Sequence, residues 1–224
     1  MSLTNKIETI NLELSRVQNS LKYLPSRRIP TFIISDINNH TSVVAVRKLL
    51  KSIEVHDCDL NPMVFPATTP NTLIRDLARI GKNLNNWTYP KVHNEKRKDI
   101  KSGLTLKGYR SDNVEKVISC AVSHYRLWQL CAAGNIPLVI LEHDALFTRK
   151  LPISFFKGEN KEAGIIGLND PRGATRKADT YLQKTLDSYT TRSDTVPVPW
   201  VDDNTDAPQG LAGNSAYVLW PGSA

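Results

Sequence analysis

The sequence has few cysteines and no long apolar run. Its three cysteines stand at uneven spacing and indicate reduced core thiols, not a disulfide framework or a zinc motif (Cys58, Cys120 and Cys131). No apolar run approaches the ~20 residues that are needed to cross a bilayer. The N-terminus lacks the charged-then-apolar pattern of a secretory signal. These absences argue against a disulfide-rich secreted domain and a membrane-spanning protein, and they predict a cytoplasmic chain.

The positive charge is concentrated in one segment. The chain has 224 residues, 40% of them hydrophobic, which suits one α/β domain with a real core, and its net charge is +7. Between Lys82 and Arg110, eight basic residues stand against two acids, together with Trp87 and Tyr89. No helix or strand period is visible there. The segment is therefore either a loop that meets an anionic acceptor or a diphosphate, or a solvated surface loop.

Basic residues with interleaved aromatics can also bind nucleic acid. The rest of the chain is nearly neutral, which argues against a dedicated nucleic-acid protein.

A heptad-like pattern marks residues 1–28 as a separate unit. Apolar residues recur at steps of three and four and stop before Pro25: Ile7, Ile10, Leu14, Val17, Leu21 and Leu24. A helix of about three heptads with one apolar stripe is not stable alone in water. The pattern predicts an amphipathic helix that pairs with a second chain through residues 7–24 or docks on its own domain, with self-association favoured.

Strand-like and helix-like segments alternate over residues 29–224. Short β-rich runs predict strands at Thr31–Ser35, Glu54–Cys58, Met63–Phe65, Leu138–Leu141, Ala163–Leu168, Val196–Val201 and Ser215–Trp220. Apolar spacings of three and four predict helices at Thr41–Ser52, at Asn71–Arg79 with Asn71 as cap, and at Ser111–Ala133 with Asp112 and Glu115 at its start. The alternation predicts one α/β domain with a mainly parallel sheet flanked by helices.

Acidic residues end the most apolar of these strands. Leu138–Leu141 is followed at once by Glu142, His143 and Asp144. Ligands of open α/β sheets bind at the carboxyl ends of strands, and a carboxylate there is costly without a cation opposite. Two carboxylates around one spacer can hold a hard divalent cation, and that cation can hold a diphosphate. The alternative is a solvated strand end at which the acids merely begin a turn.

The predicted helix and this strand together resemble glycosyltransferase family 25. The segments CAVSHYRLWQ and PLVILEHDALF carry the resemblance, through Cys120, Ser123, His124 and Trp128 in the helix and Glu142 and Asp144 after the strand. The family, which includes bacterial lipopolysaccharide and collagen galactosyltransferases, usually has Glu-Asp-Asp where this chain has Glu-His-Asp. Ser119 also replaces the usual glycine, and Phe65–Ala67 and Gly213–Leu219 are weaker matches.

The resemblance implies a GT-A fold and a metal-dependent, inverting transfer of a hexose. Galactose from a UDP-sugar is the favoured donor, and a glycan or other hydroxyl compound is the acceptor. Asp144 is the expected direct ligand of Mn²⁺ or Mg²⁺, and Glu142 a second ligand or a ribose contact. Ser123 and His124 complete the expected donor-binding set. His143 points to the other strand face and is expected to be structural, and His124 is more typical of a hydrogen-bonded structural histidine than of a catalytic one.

An inverting transfer also needs a base for the acceptor hydroxyl. The candidate acids are Asp170, at a predicted strand exit, and Asp202 and Asp203, on a predicted loop. Asp206 belongs to the same acidic cluster as Asp202 and Asp203, and nothing in the sequence ranks these carboxylates.

Two other functions remain open at this point. His143, and the end of the chain directly after the last family-like strand, favour a non-catalytic relative that binds sugar or scaffolds an assembly. The same chain end predicts either a truncated domain or a metal shell completed by solvent. The basic segment alone suggests a glycosyltransferase acting on nucleic-acid bases, for which a steep salt dependence of DNA binding would be the sign.

Overall fold

In the part of the chain that the structure describes, five strands form one sheet with helices against both of its faces. The computed structural model describes residues 28–100, 103, 105–109, 111, 113–151, 156, 164–170, 179, 182–183, 186–187 and 213–224. In chain order the elements are β1 (Ile29–Ser35), α1 (His40–Val55), β2 (Leu60–Pro66), α2 (Leu73–Arg79), β3 (Lys96–Lys98), β4 (Thr105–Lys107), α3 (Val114–Gly134), β5 (Leu138–Glu142), β6 (Ile165–Gly167) and β7 (Ala216–Leu219). The sheet has the order β2-β1-β5-β7-β6.

The sheet is mainly parallel, as the alternation of elements predicts. β1 pairs in parallel with β2 and β5, and β7 pairs antiparallel with both β5 and β6. Among the described strands of this sheet, β7 alone therefore runs against the others. The antiparallel direction of β7 brings its first residues to the edge where β5 ends.

Strands β1 and β5 are buried on both faces, which explains their near-continuous apolar sequence. One face packs on α1, where Ile33, Val139 and Leu141 meet Leu49 and Ile53. The other face packs on α3, where Phe32, Ile34, Leu138 and Ile140 meet Leu127. Each such fully buried aliphatic side chain stabilises the fold by about 1.5–3 kcal/mol.

Three predicted element boundaries are wrong. Glu54 continues α1, which runs on to Val55 before a turn, so Glu54–Cys58 is not a strand. Asn71 does not cap α2, because that helix begins at Leu73 with Thr72 as its N-cap residue. The cap of α3 is Asn113, which accepts a hydrogen bond from the Lys116 backbone N–H at 3.0 Å, so the helix begins later than Ser111.

The basic segment contains a short hairpin that its sequence does not predict. β3 and β4 pair antiparallel, with Lys96 opposite Lys107 and Lys98 opposite Thr105. Each strand has three residues and is largely exposed, so it is too short to show a strand period. Gly108 follows β4, and a Cβ at that position would overlap the Val92 carbonyl.

Several predictions lie outside the described residues. They are the N-terminal helix at residues 7–24, the strand at Val196–Val201 and the candidate bases Asp202 and Asp203. Within the described part of the chain, no helix combines the length and the apolar character needed to span a bilayer.

Candidate active site

The carboxyl ends of the central strands mark the candidate site. The chain leaves β1 through α1 to β2 on one side, whereas β5 pairs with the other side of β1. The edge between β1 and β5 is therefore a topological switch point, where open α/β sheets bind their ligands. Glu142 is the last residue of β5 and lies in register with Ile34 of β1. A carboxylate thus stands where the topology itself leaves a crevice.

The Glu142 side chain turns toward α3 because side chains alternate along a strand. Leu138 and Ile140 on the same strand face pack in the core beneath α3. Glu142 Oε1 lies 3.2 Å from His124 Nε2 and accepts a hydrogen bond from Cys120 Sγ at 3.5 Å. Cys120 and His124 are four residues apart, so they share the face of α3 that covers the end of β5.

His124 belongs to a buried chain of hydrogen bonds. Its Nδ1 lies 2.8 Å from Tyr217 Oη, and Trp128 Nε1 donates to that oxygen at 2.8 Å. The ionised carboxylate of Glu142 only accepts, so Nε2 carries the proton that faces it. When the imidazole is neutral, the Tyr217 hydroxyl donates to Nδ1. These hydrogen bonds therefore fix the orientation of the His124 ring, which in turn holds Glu142.

The same contacts shift two pKa values in opposite directions. The His124 hydrogen bond is the largest influence on Glu142, and it lowers the pKa of that carboxyl despite burial. Burial, followed by the charge of Glu142, raises the pKa of the Cys120 thiol to about 12. In the metal-free protein Glu142 is thus an anion at neutral pH and Cys120 a thiol, which makes Cys120 a poor nucleophile.

The start of β7 forms a second wall of the site. The Glu142 backbone N–H donates to the Ser215 carbonyl at 2.7 Å, and Asn214 Nδ2 lies 3.4 Å from His124 Nε2. Ser215 Oγ donates to Asn169 Oδ1 at 2.7 Å, which ties the exit of β6 to this wall. Gly213 has a φ of +75°, and a Cβ there would lie 2.8 Å from Asn169 Nδ2. The polar backbone and amides of this wall face the same edge as Glu142.

A third connection joins the end of β2 to α3. Ser123 is buried, and its hydroxyl accepts from the Thr68 backbone N–H at 2.9 Å and donates to the Ser119 carbonyl at 2.9 Å. Arg126 Nη1 donates to the Pro66 carbonyl at 3.2 Å. The loop after β2 is thereby fixed against the helix that supplies His124.

The comparison with known protein families agrees with this geometry. A family model described as glycosyltransferase family 25 (LPS biosynthesis protein) matches residues 47–221, well over half of the chain. The chain belongs to glycosyltransferase family 25. No curated protein and no solved structure shows significant similarity to it.

The structure brings some of the predicted site residues of this family 25 member together and separates others. Glu142 and His124 are in contact at the switch point. Asp144 lies in the exposed turn that follows β5, two residues beyond Glu142. Asp170 is exposed and follows β6, which is parallel to β5, so it belongs to the same edge of the sheet. Ser123 lies deeper, and the two hydrogen bonds of its hydroxyl join it to backbone groups of described residues.

Sequence reasoning missed three polar residues of the family 25 site. Tyr217, Asn214 and Asn169 all lie far along the chain from His124 and Glu142. Gly213–Leu219 was a weak family match whose individual side chains had no assigned role. Only the antiparallel pairing of β7 with β5 and β6 brings these residues to the site.

Proposed function

We propose that this family 25 glycosyltransferase moves a hexose, with galactose favoured, from a UDP-sugar to a hydroxyl acceptor with inversion. A GT-A-like arrangement of the sheet and a glycan acceptor follow the same family analogy. The observation that carries the proposal is the Glu142 carboxylate at the switch point, held as an anion by His124. A negative group fixed at a ligand-binding edge suits a cation that bridges protein and diphosphate.

The two carboxylates expected to bind metal, Asp144 and Glu142, fit a hard divalent cation such as Mn²⁺ or Mg²⁺. Asp144 is exposed after the strand end, and the Glu142 side chain is 25% exposed. Glu142 Oε2 makes no hydrogen bond to a described residue, so one carboxylate oxygen is available at the surface of the site. We assign Asp144 as the direct ligand and Glu142 as a second ligand or a ribose contact. A bound cation would neutralise the charge that develops on the departing UDP.

Asp170 is the candidate base that the described fold favours. It is exposed at the exit of β6, on the edge that also carries Glu142. A carboxylate there can remove the proton of an acceptor hydroxyl that approaches the donor from the β6 side. Asp202 and Asp203 stay as alternative bases. His124, whose two ring nitrogens already have protein partners, serves to position Glu142.

The basic hairpin supports an anionic acceptor. A cavity of about 150 Å³ is lined by aromatic and lysine side chains, among them Trp87, Tyr89, Lys91 and Lys107. Val117 of α3 also lines it and lies three residues before Cys120, so about 4.5 Å separates these positions along the helix axis. Aromatic faces can stack on a sugar ring, and ammonium groups attract its acidic substituents.

A non-catalytic sugar-binding relative is the second candidate. It is favoured by His143 in place of the middle acid. Such a protein would bind a sugar without a metal-dependent diphosphate site.

The deciding experiment is calorimetric titration of UDP into the full chain, with and without Mn²⁺. We expect UDP to bind only when Mn²⁺ is present, and Asp144→Ala should abolish this binding. Asp59→Ala is the matched control, because Asp59 is exposed before β2 at the opposite edge of the sheet. Equal UDP binding with and without Mn²⁺, or full binding by the Asp144 variant, would reject the metal assignment. No binding in either condition would favour the non-catalytic relative.

A further inference from the structure

Three side chains of different ligand type converge at the carboxyl end of β5. Cys120 Sγ, His124 Nε2 and a Glu142 carboxylate oxygen all lie within 4.8 Å of one another. We propose that these three residues bind a transition-metal ion of the Zn²⁺ class. The site goes beyond the proposed sugar transfer, because it uses Cys120 and His124 and needs no nucleotide.

The two separations that involve Glu142 match those between ligands of one tetrahedral ion. Zinc bonds of about 2.0–2.3 Å place tetrahedral oxygen and nitrogen ligands about 3.4 Å apart, and sulfur and oxygen ligands about 3.6 Å apart. The corresponding distances here are 3.2 Å from Glu142 Oε1 to His124 Nε2 and 3.5 Å from Oε1 to Cys120 Sγ. Small side-chain rotations would therefore admit the ion without moving β5 or α3.

The ligand types favour zinc over the hard cation of the donor site. Thiolate and imidazole select borderline ions such as Zn²⁺, whereas Mg²⁺ and Mn²⁺ prefer oxygen. One thiolate and one carboxylate also balance the two positive charges, with the imidazole neutral. Metal binding thus removes the repulsion that a thiolate at Cys120 would otherwise meet from Glu142.

A partner for the second imidazole nitrogen is already present. Zinc-bound histidines donate their other ring N–H to an oriented acceptor. Tyr217 Oη lies 2.8 Å from His124 Nδ1 and also receives the Trp128 N–H. When the metal takes Nε2, the imidazole proton moves to Nδ1 and is donated to Tyr217, whose own hydrogen turns away. The Cys120 thiol proton leaves to solvent, so each bound ion releases one proton.

The site is open to solvent on one side. Cys120 is exposed and the Glu142 side chain is 25% exposed, whereas His124 is buried. Three protein ligands with an accessible fourth position match the coordination of a reactive zinc centre, not a closed structural one.

The test is titration of the reduced, metal-free full chain with Co²⁺, without nucleotide or Mn²⁺. Cobalt bound to a thiolate gives a ligand-to-metal charge-transfer absorption in the near ultraviolet, and Zn²⁺ should then displace it. We expect one Co²⁺ per chain with this absorption. Cys120→Ser should remove the absorption, Glu142→Gln should weaken binding but retain it, and Tyr217→Phe should weaken binding about 10–100-fold. Cys58→Ser is the control for a thiol outside the cluster and should behave as wild type.

Several results would overturn the site. They are no thiolate absorption in the wild type, an absorption that survives in Cys120→Ser, or one ion per two chains, which would indicate an ion held between two chains. Unchanged affinity in Tyr217→Phe would reject the assigned role of Tyr217. Because nucleotide is absent, failure here leaves the UDP titration unaffected, and the failure of UDP to bind would leave this result standing.

Discussion

Asp76 carries a buried negative charge that ties three elements together at the residue scale. Its side chain is 2% exposed and accepts hydrogen bonds from Thr68, Thr72 and Arg75, each at 3.0 Å. Arg126 of α3 lies 3.7 Å away. Burial alone would raise the pKa of Asp76, but the hydrogen bonds from Arg75 and Thr72 and the charge of Arg126 outweigh it, and the pKa is lowered.

We expect Asp76→Asn to lower the free energy of unfolding by about 3 kcal/mol near neutral pH, because it removes the charge of a buried carboxylate that faces the partly buried Arg126. A lowered pKa stabilises the fold above the usual value of 3.8, and this contribution is lost as the pH falls through the folded pKa. The difference between wild type and variant should therefore shrink below pH 3.8. Urea denaturation at several pH values measures it.

The matched control is Asp57→Asn. Asp57 is an exposed partner of Lys150 at 2.8 Å, and its substitution should leave the stability unchanged. If both variants lost the same free energy of unfolding, the buried hydrogen bonds and charge of Asp76 would contribute no more than an exposed ion pair.

Tyr217 is the residue on which the orientation of His124 depends. Tyr217→Phe leaves the Trp128 N–H and His124 Nδ1 without their shared partner in the core. We expect the free energy of unfolding of the variant to be about 2 kcal/mol lower than that of the wild type, since unpaired buried polar groups are costly. Tyr89→Phe, at an exposed ring, should change nothing measurable in the same denaturation experiment. A Tyr217→Phe protein as stable as the wild type would show that the hydrogen bonds to Tyr217 do not stabilise the fold.

At the scale of elements, the turn between α3 and β5 sets how the helix that carries His124 connects to the strand that carries Glu142. Asn135 ends α3 in the left-handed region, with φ 50° and ψ 35°, and three residues later β5 begins. A residue with a Cβ and no local hydrogen-bonding group is strained there by roughly 1–2 kcal/mol. We expect Asn135→Ala to lower the melting temperature and Asn135→Gly to preserve or raise it.

Asn71→Ala is the control for this substitution, because Asn71 is exposed and caps no helix. Calorimetric melting of the three variants gives the comparison. A stable Asn135→Ala protein would show that the left-handed turn is not needed to join α3 to β5.

Local patterns predicted the elements better than the contacts between them. The apolar spacing of α3 and the run Leu138–Leu141 are determined by neighbouring residues, and both elements lie close to where the sequence predicts them. Boundaries were less certain because Asp112 and Asn113 are both good capping residues, and only the backbone decides between them. The contact of His124 with Tyr217 spans 93 residues and depends on the direction of β7, which no local pattern encodes.

The same limit applies to Glu142. Its position at a strand end was predictable from the sequence. Its contact with Cys120 was not, because that contact requires the register of α3 over the sheet to be known. Residue Cys120, which is expected in the core, is exposed although its thiol contacts Glu142, whereas Cys58 and Cys131 are buried as predicted.

At the scale of the whole molecule, the heptad pattern of residues 7–24 makes a prediction about assembly. The stripe needs an apolar partner, because a short helix with one such stripe is unstable alone. If that partner is a second chain, sedimentation should show a dimer for the full chain and a monomer for a chain that begins at Arg28. Leu14→Asp should have the same effect without shortening the chain, because it charges the stripe, whereas Asn19→Asp, on the opposite side of the predicted helix, should not. An assembly state that none of these changes alters would reject pairing through residues 7–24.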